Sequence, residues 1–438
     1  MQDTIFALST PAGRGGVAVI RSSGPAAWNG MHSLLRSQKE PHIRVASTRT
    51  LYDPNTGEIL DFAMVIGFKA PASFTGEDCV EYHLHGGTAI VQGVLSALSS
   101  LPHHRMALPG EFTRRAFENG KMDLTAAEAV ADLIHAETEG QRLQALRQMD
   151  GALFHLYEGW KDRLARVLAL MEADLDFNDQ DLPDDLLLKV RPDISDIMNE
   201  MAAHLHDGRR GELLRDGFRL VIVGAPNAGK SSLLNRLVER DAAIVSDIAG
   251  TTRDVIDVHL NLGGYPVILA DTAGLRGSDD AIEAEGIKRA MGRAAGADIK
   301  ILLFDGTVEA DAHTLSLLDD KAIVVINKSD VARARIPTAS AISISAKTGE
   351  GIEALIAEII ARLRDMVGGS DAPALTRARH REALERAYLS LERFISAPLP
   401  ELAAEDLRLA IRHVGSITGR VDVEDLLDMI FRDFCIGK

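Results

Sequence analysis

Cysteine is nearly absent from this chain: Cys79 and Cys435, far apart, are the only two in 438 residues. A disulfide framework is therefore excluded as an organising feature, and so are cysteine-based zinc sites. Long apolar runs are missing as well. No stretch approaches the roughly 18 residues that a membrane-spanning helix needs. The opening Met1-Gln2-Asp3-Thr4 has neither the basic region nor the apolar run of a signal peptide. These absences point to a reducing cytoplasm and to no membrane partner. Positive charge is also in deficit. Against 64 Asp and Glu stand 48 Lys and Arg, a formal net charge of −16. The average field repels nucleic acid, so any RNA contact must be local or supplied by a partner.

What remains is an ordinary globular composition, 46% hydrophobic, long enough for about three domains. Its clearest motif is Gly224-Ala225-Pro226-Asn227-Ala228-Gly229-Lys230-Ser231, which fits G-x-x-x-x-G-K-[ST]. Phe218-Arg219-Leu220-Val221-Ile222-Val223 before it reads as a buried parallel strand. Ser231-Ser232-Leu233-Leu234 after it opens an amphipathic helix. In such a unit the backbone N–H groups wrap a β-phosphate, Lys230 reaches the β- and γ-phosphates, and the Ser231 hydroxyl ligates magnesium.

Further elements follow in order. Gly250-Thr251-Thr252-Arg253-Asp254 offers a threonine hydroxyl to the metal. Asp271-Thr272-Ala273-Gly274 follows the apolar Val267-Ile268-Leu269; Asp271 can hold the metal through water and the Gly274 N–H can sense a γ-phosphate. Asn327-Lys328-Ser329-Asp330 follows Ala322-Ile323-Val324-Val325-Ile326. A carboxylate only accepts hydrogen bonds, so Asp330 selects guanine, which presents two N–H donors where adenine does not. Ser345-Ala346-Lys347 offers a backbone N–H to the guanine carbonyl. Many small GTPases place a glutamine after the glycine of the third element to orient water. Here that position is Leu275, which forms no hydrogen bond. The substitute is sought in the segment from Arg276 to Glu283.

Outside the nucleotide motifs, residues 1–118 read as an α+β domain, with strands at 17–20 and 62–68 and loops at 11–16 and 71–78. The alternation in Val80-Glu81-Tyr82-His83-Leu84-His85 puts Glu81, His83 and His85 on one strand face. A lone glutamate on a strand is usually solvated, and the two neighbouring histidines could bind a metal, but no carboxylate or cysteine at ligand spacing completes a set. Residues 119–215 read as helical, with Thr125-Ala126-Ala127-Glu128 as a capping box. Residues 216–370 form the P-loop domain with a mostly parallel sheet. Residues 371–438 return to helical periodicity, which suggests a P-loop domain inserted into one helical domain. The acidic run from Glu172 to Asp181 reads as a solvated interhelical loop; as a calcium loop it lacks the glycine at its sixth position, which is Asp179 here.

Four blocks resemble the MnmE (TrmE) family of tRNA-modification GTPases over essentially the whole chain. They are Thr10-Pro11-Ala12-Gly13-Arg14-Gly15-Gly16; Phe74-Thr75-Gly76-Glu77-Asp78 with His85-Gly86-Gly87; Pro109-Gly110-Glu111-Phe112-Thr113-Arg114-Arg115-Ala116-Phe117 with Asn119-Gly120-Lys121-Met122-Asp123-Leu124; and the terminal Cys435-Ile436-Gly437-Lys438. The resemblance implies an N-terminal domain similar to folate-binding aminomethyltransferases that also forms a homodimer contact. It implies a helical domain that carries the GTPase as an insert. It further implies a partner subunit holding FAD (MnmG, or GidA), with tRNA bound mainly through that partner. The family's product is a modified carbon 5 of the wobble uridine, with 5,10-methylene- or 5-formyl-tetrahydrofolate as one-carbon source.

Matching positions then imply site residues. Arg21, Glu81, Lys121 and Lys438 line the folate site, and Cys435 is the catalytic cysteine. GTP meets Asn227, Ala228, Gly229, Lys230, Ser231, Ser232, Ser246, Thr252, Asp271, Thr272, Ala273, Gly274, Asn327, Lys328, Asp330, Ser345, Ala346 and Lys347. Magnesium falls to Ser231 and Thr252. A potassium ion, ligated by Asn227, Ser246, Ile248 and Thr251, stands where an arginine finger acts elsewhere, and Glu283 positions the water. On residues alone Cys435 reads as a buried, inert thiol. On the nucleotide motifs alone the chain also fits a ribosome-assembly or signalling GTPase, a binding module without folate chemistry.

Overall fold

The computed structural model describes residues 3–37, 41–176, 186–240, 258–269, 296–331, 340–368, 372–421, 424–432 and 434–437. The chain divides into two compact units, Met1–Ala131 with Gly415–Lys438, and Asp132–Val414.

The first unit is built on one sheet of β1 (Thr4–Leu8), β2 (Val17–Ser23), β3 (Ser47–Tyr52), β4 (Ile59–Phe68), β5 (Cys79–His85) and β6 (His104–Met106), in the order β3-β4-β5-β2-β1-β6. All pairings are antiparallel except β1 with β6. Alternation sends Ile20, Tyr82, Leu84, Ala63 and Val65 to one face, where α1 (Ala27–Leu35) and α2 (Thr88–Ser99) complete a core with Trp28, Met31, Leu34 and Val94. On the other face Phe112, from α3 (Glu111–Glu118), packs with Phe74 over Ile5 and Ala7 of β1.

A third cluster joins the two ends of the chain. Leu124 and Ala127 of α4 (Leu124–His135) pack with Leu427 and Phe431 of the helix Glu424–Arg432 and with Phe434. The cap of α4 differs from expectation. The helix begins at Leu124, so Thr125 lies inside it, and Asp123 ahead of it accepts N–H groups from Thr125 at 2.8 Å and Ala126 at 3.4 Å and the Thr125 hydroxyl at 2.5 Å. A carboxylate immediately ahead of the first helical residue suits the N–H groups of a helix N-terminus.

The second unit begins with α5 (Glu139–Met149), α6 (Ala152–Asp176) and α7 (Leu186–Leu205). The acidic run is therefore helical up to Asp176, and its remainder lies outside the described residues. Helix Ala378–Ser396, on the far side of the nucleotide motifs in sequence, packs back on α7. Arg381 donates to the Leu205 carbonyl at 2.7 Å, and Arg191 donates to that of Ile395 at 3.3 Å. The helical layer is thus made from both flanks, with the P-loop domain inserted between them.

That insert is reached through α8 (Arg210–Asp216). It contains β7 (Phe218–Val223), α9 (Lys230–Arg240), β8 (Val258–Leu262), β9 (Tyr265–Leu269), β10 (Ile299–Asp305), β11 (Ala322–Asn327) and β12 (Ile342–Ser343). The sheet order is β12-β11-β10-β7-β9-β8, and every pairing is parallel except β8 with β9. Its strands are buried by helices, which is why β11 is apolar until its last residue.

Candidate functional site

Among the described residues, the P-loop, the 327–330 motif and the 345–347 loop converge at the C-terminal ends of β7, β10 and β11, the crevice where open parallel sheets place their ligands. The P-loop leaves β7 at Gly224, where a Cβ would lie 2.3 Å from the Leu303 carbonyl oxygen. Asn227 and Gly229 both take left-handed backbone, at φ 62° and 99°. Lys230 opens α9, and its ammonium donates to the Gly224 and Ala225 carbonyls at 2.9 Å each. Burial lowers its pKa below the ordinary lysine value. Ser231 and Ser232 follow in the first turn of the same helix.

Asn327, at the end of β11, ties the site together. Its Nδ2 donates to the Ala228 carbonyl of the P-loop at 2.7 Å, and its Oδ1 accepts from the Ala346 N–H at 2.9 Å. It is buried. The 345–347 loop is held from its other side by α9, because Arg236 donates to the Ala346 and Lys347 carbonyls at 3.0 and 2.7 Å. The Ser345 hydroxyl accepts from the Thr348 N–H at 3.2 Å. Lys328, at φ 67°, pairs with Asp305 of β10 at 2.5 Å. Asp330 is exposed at the mouth. Ser246, Ile248, Thr251, Thr252, Asp271, Thr272, Ala273, Gly274, Leu275, Glu283 and Lys438 lie outside the described residues. Arg236 and Asp305 carry no motif of their own. Asp305 ends an apolar run, Ile301-Leu302-Leu303-Phe304, that parallels the other motif-bearing strands.

In the first unit a second constellation forms on the sheet face opposite α1 and α2, the face that α3 covers. Arg21 on β2 stands opposite Glu81 on β5 and donates twice to its Oε1, at 3.0 and 2.9 Å. The guanidinium lies 5.1 Å from the Phe74 ring centroid and 5.9 Å from that of Phe112. His83 stands next along β5, and His85 turns to Asp61 at 2.7 Å. Among the described residues, no group of three His, Cys, Asp or Glu side chains is arranged to hold a metal ion. The Phe74 loop is fixed from α3 onward: Asn119 donates to the Thr75 carbonyl at 2.8 Å, and the exposed Lys121 donates to that of Pro71 at 3.0 Å. Beneath it, Arg115 bonds Glu77 at 3.2 Å and Glu111 at 3.1 Å.

The C-terminal tail is seated on this unit. Ser9 donates its hydroxyl to the Gly437 carbonyl at 3.0 Å, and the Gly110 N–H donates to that of Cys435 at 3.4 Å. Phe434 and Gly437 are buried, but Cys435 is exposed. The reading of Cys435 as a buried thiol therefore fails. It is Cys79 that is buried, and burial raises its thiol pKa.

Residues 4–121 match the family described as GTP-binding protein TrmE N-terminus, and residues 124–435 match the MnmE helical domain. The chain belongs to the MnmE family. It is 56% identical over 440 residues to the tRNA modification GTPase MnmE of Parvibaculum lavamentivorans, covering all of both chains. It is 52% identical over 454 residues to the MnmE of Rhodospirillum rubrum, covering all of this chain and 99% of that one. Among solved structures, the G domain of the T. maritima FeoB iron transporter aligns with 34% of this chain and 99% of its own length, at 26% identity and a TM-score of 0.26. The two MnmE family matches meet between α3 and α4, and the tail contacts described above fall where the helical-domain match ends.

Proposed function

We propose that this chain is a potassium-activated, magnesium-dependent GTPase of tRNA modification. In this reading it acts in the cytoplasm as a homodimer with an FAD-containing partner (MnmG). Together they install an aminomethyl-type group at carbon 5 of the wobble uridine of certain tRNAs, using a tetrahydrofolate one-carbon donor.

One observation carries the reading: the tail bearing Cys435 is seated on Ser9 and Gly110, two residues before the Phe112 that walls the Arg21–Glu81 pair. A GTPase acting only as a binding module needs neither the pair nor the tail. The pair suits a reduced pterin. Such a ring offers two N–H donors on one edge, and both Arg21 donors go to Glu81 Oε1, which leaves Oε2 for a ligand. Phe74 and Phe112 supply aromatic walls, and Lys121 and Lys438 supply positive charge for the carboxylates of the folate tail. Cys435, exposed beside this region, is the nucleophile in this reading. Folate, when bound, supplies the carbon; the chain's residues bind and orient it.

At the nucleotide site the proposed guanine reader is Asp330, with Asn327 fixing the distance between the phosphate loop and the 345–347 loop. Ser231 and Thr252 are the proposed magnesium ligands. Asn227, with Ser246, Ile248 and Thr251, would hold potassium, whose charge offsets that developing between the β- and γ-phosphates. Glu283 replaces the missing glutamine in positioning water. The fit of Asn227 rests on its exposed place on left-handed backbone within the phosphate loop.

The test is the wobble uridine of tRNA from cells lacking the gene, with GTP turnover by the purified chain in potassium and in sodium. Hypomodified uridine and a steep potassium preference are expected. Fully modified tRNA sinks the folate and tRNA reading; equal turnover in the two salts sinks the role of the ion.

A further inference from the structure

Glu81 has a second neighbour that the reading above leaves without a role. Its Oε2 faces His83 Nε2 at 3.4 Å, near enough for an ion pair. The alignment is too poor for a hydrogen bond, and that nitrogen is buried without a hydrogen-bond partner. The two residues share a face of β5, two positions apart. Across the strands His83 meets Val19 of β2 and Met64 of β4, neither of them charged.

The ionisable groups nearby are otherwise engaged. Arg21 from β2 is spent on Oε1. His85 pairs with Asp61 of β4. Lys69 pairs with Asp78 in the loop before β5. Arg115 of α3 pairs with both Glu77 of the same loop and Glu111 of α3, and Lys121 donates to the Pro71 carbonyl. The charge state of His83 therefore bears chiefly on Glu81.

We propose that His83 is a positioning residue that switches the acceptor state of Glu81. Neutral His83 leaves Oε2 open to the two-donor N–H edge of a reduced pterin. Protonated His83 becomes a charged donor, claims Oε2 through a small ring rotation, and competes with that edge. The proposal rests on the folate reading of this face.

Its test is calorimetric titration of the full-length chain with 5-formyltetrahydrofolate between about pH 8 and about pH 5.5. The wild-type chain should lose about tenfold in affinity towards acid, the scale of one charge-assisted hydrogen bond. His83→Gln keeps an amide at that position without titrating, so its affinity should vary far less. The ligand's own ionisations are common to both proteins and cancel. His85→Gln should retain the wild-type slope, and thermal unfolding of each variant checks that it is folded. Parallel slopes for wild type and His83→Gln, with binding retained, overturn the role of His83 alone. No binding by the wild-type chain at any pH overturns the folate reading, and this proposal with it.

Discussion

Asn327 shows how much one side chain can organise. A planar amide offers a donor and an acceptor in opposite directions, and here each is spent on the backbone of a different loop. Both bonds are buried, so breaking them leaves backbone groups unpaired unless water enters. Asn327→Ala should lower affinity for GDP and GTP by about thirtyfold, from two buried hydrogen bonds at about 1 kcal/mol each. Fluorescent-nucleotide titration measures this, and unchanged affinity would show that the loops hold their spacing without the bridge. Gly229 belongs to the same arrangement: a Cβ there would lie 2.1 Å from Asn327 Nδ2. Asp330 makes a separate demand. Asp330→Asn puts donors where a carboxylate only accepts. Preference should move from guanosine towards xanthosine nucleotides, whose ring carries a carbonyl in place of the amino group. Competition between the two diphosphates reads the shift, and an undiminished preference for guanosine removes Asp330 from the reader.

At the scale of elements, what was legible in the sequence follows from how local the constraint is. The strand, turn and helix around Lys230 were readable because wrapping a phosphate demands glycine and lysine at fixed spacing. Period-two alternation likewise put Glu81 and His83 on one face of β5. It could not name Arg21 as the partner of Glu81, since a pairing across 60 residues of sequence depends on strand order. β10 carries no signature residue until Asp305, and β1 pairs in parallel with the three-residue β6 across 100 positions, Thr4 with His104. Thr125 and Asp123 both suit a helix start, and the helix begins at Leu124, directly after Asp123. The seating of the tail was equally hidden. Gly437 has φ 97°, and a Cβ there would lie 2.1 Å from the Leu8 carbonyl oxygen. Gly437→Ala should therefore unseat the tail. Hydrogen exchange at the C-terminus should quicken and tRNA modification should fall, with the fold of the nucleotide domain kept. A tail that stays protected would mean that Ser9 and Phe434 hold it without the glycine.

Across the whole molecule, the two units should answer acid differently. In the first, burial works against the charge of Glu111, but donors from Arg105, the Leu108 N–H and Arg115 outweigh it and hold its pKa below the ordinary glutamate value. That stability is present above the unfolded value and is lost only as pH falls through the lowered one. Glu212, between Arg209 and Arg381 in the second unit, behaves in the same way. The second unit has an additional, earlier liability. His204 packs against Tyr157 and Trp160, accepts or donates at the Tyr157 hydroxyl at 3.1 Å, and burial lowers its pKa from 6.5 to about 4. For a base with a depressed pKa, the unfolded chain binds the proton first. Stability is full above pH 6.5 and drains as pH falls from there towards about 4. Integrated to about pH 5, the loss is about 2 kcal/mol. Urea unfolding followed through Trp160, with a Trp28→Phe background to silence the first unit, should show this loss between about pH 7 and about pH 5. His204→Gln in the same background should remove most of it. An equal loss in both proteins would place the acid sensitivity elsewhere in the helical layer, with His413, whose pKa is also lowered by burial, as the next residue to exchange.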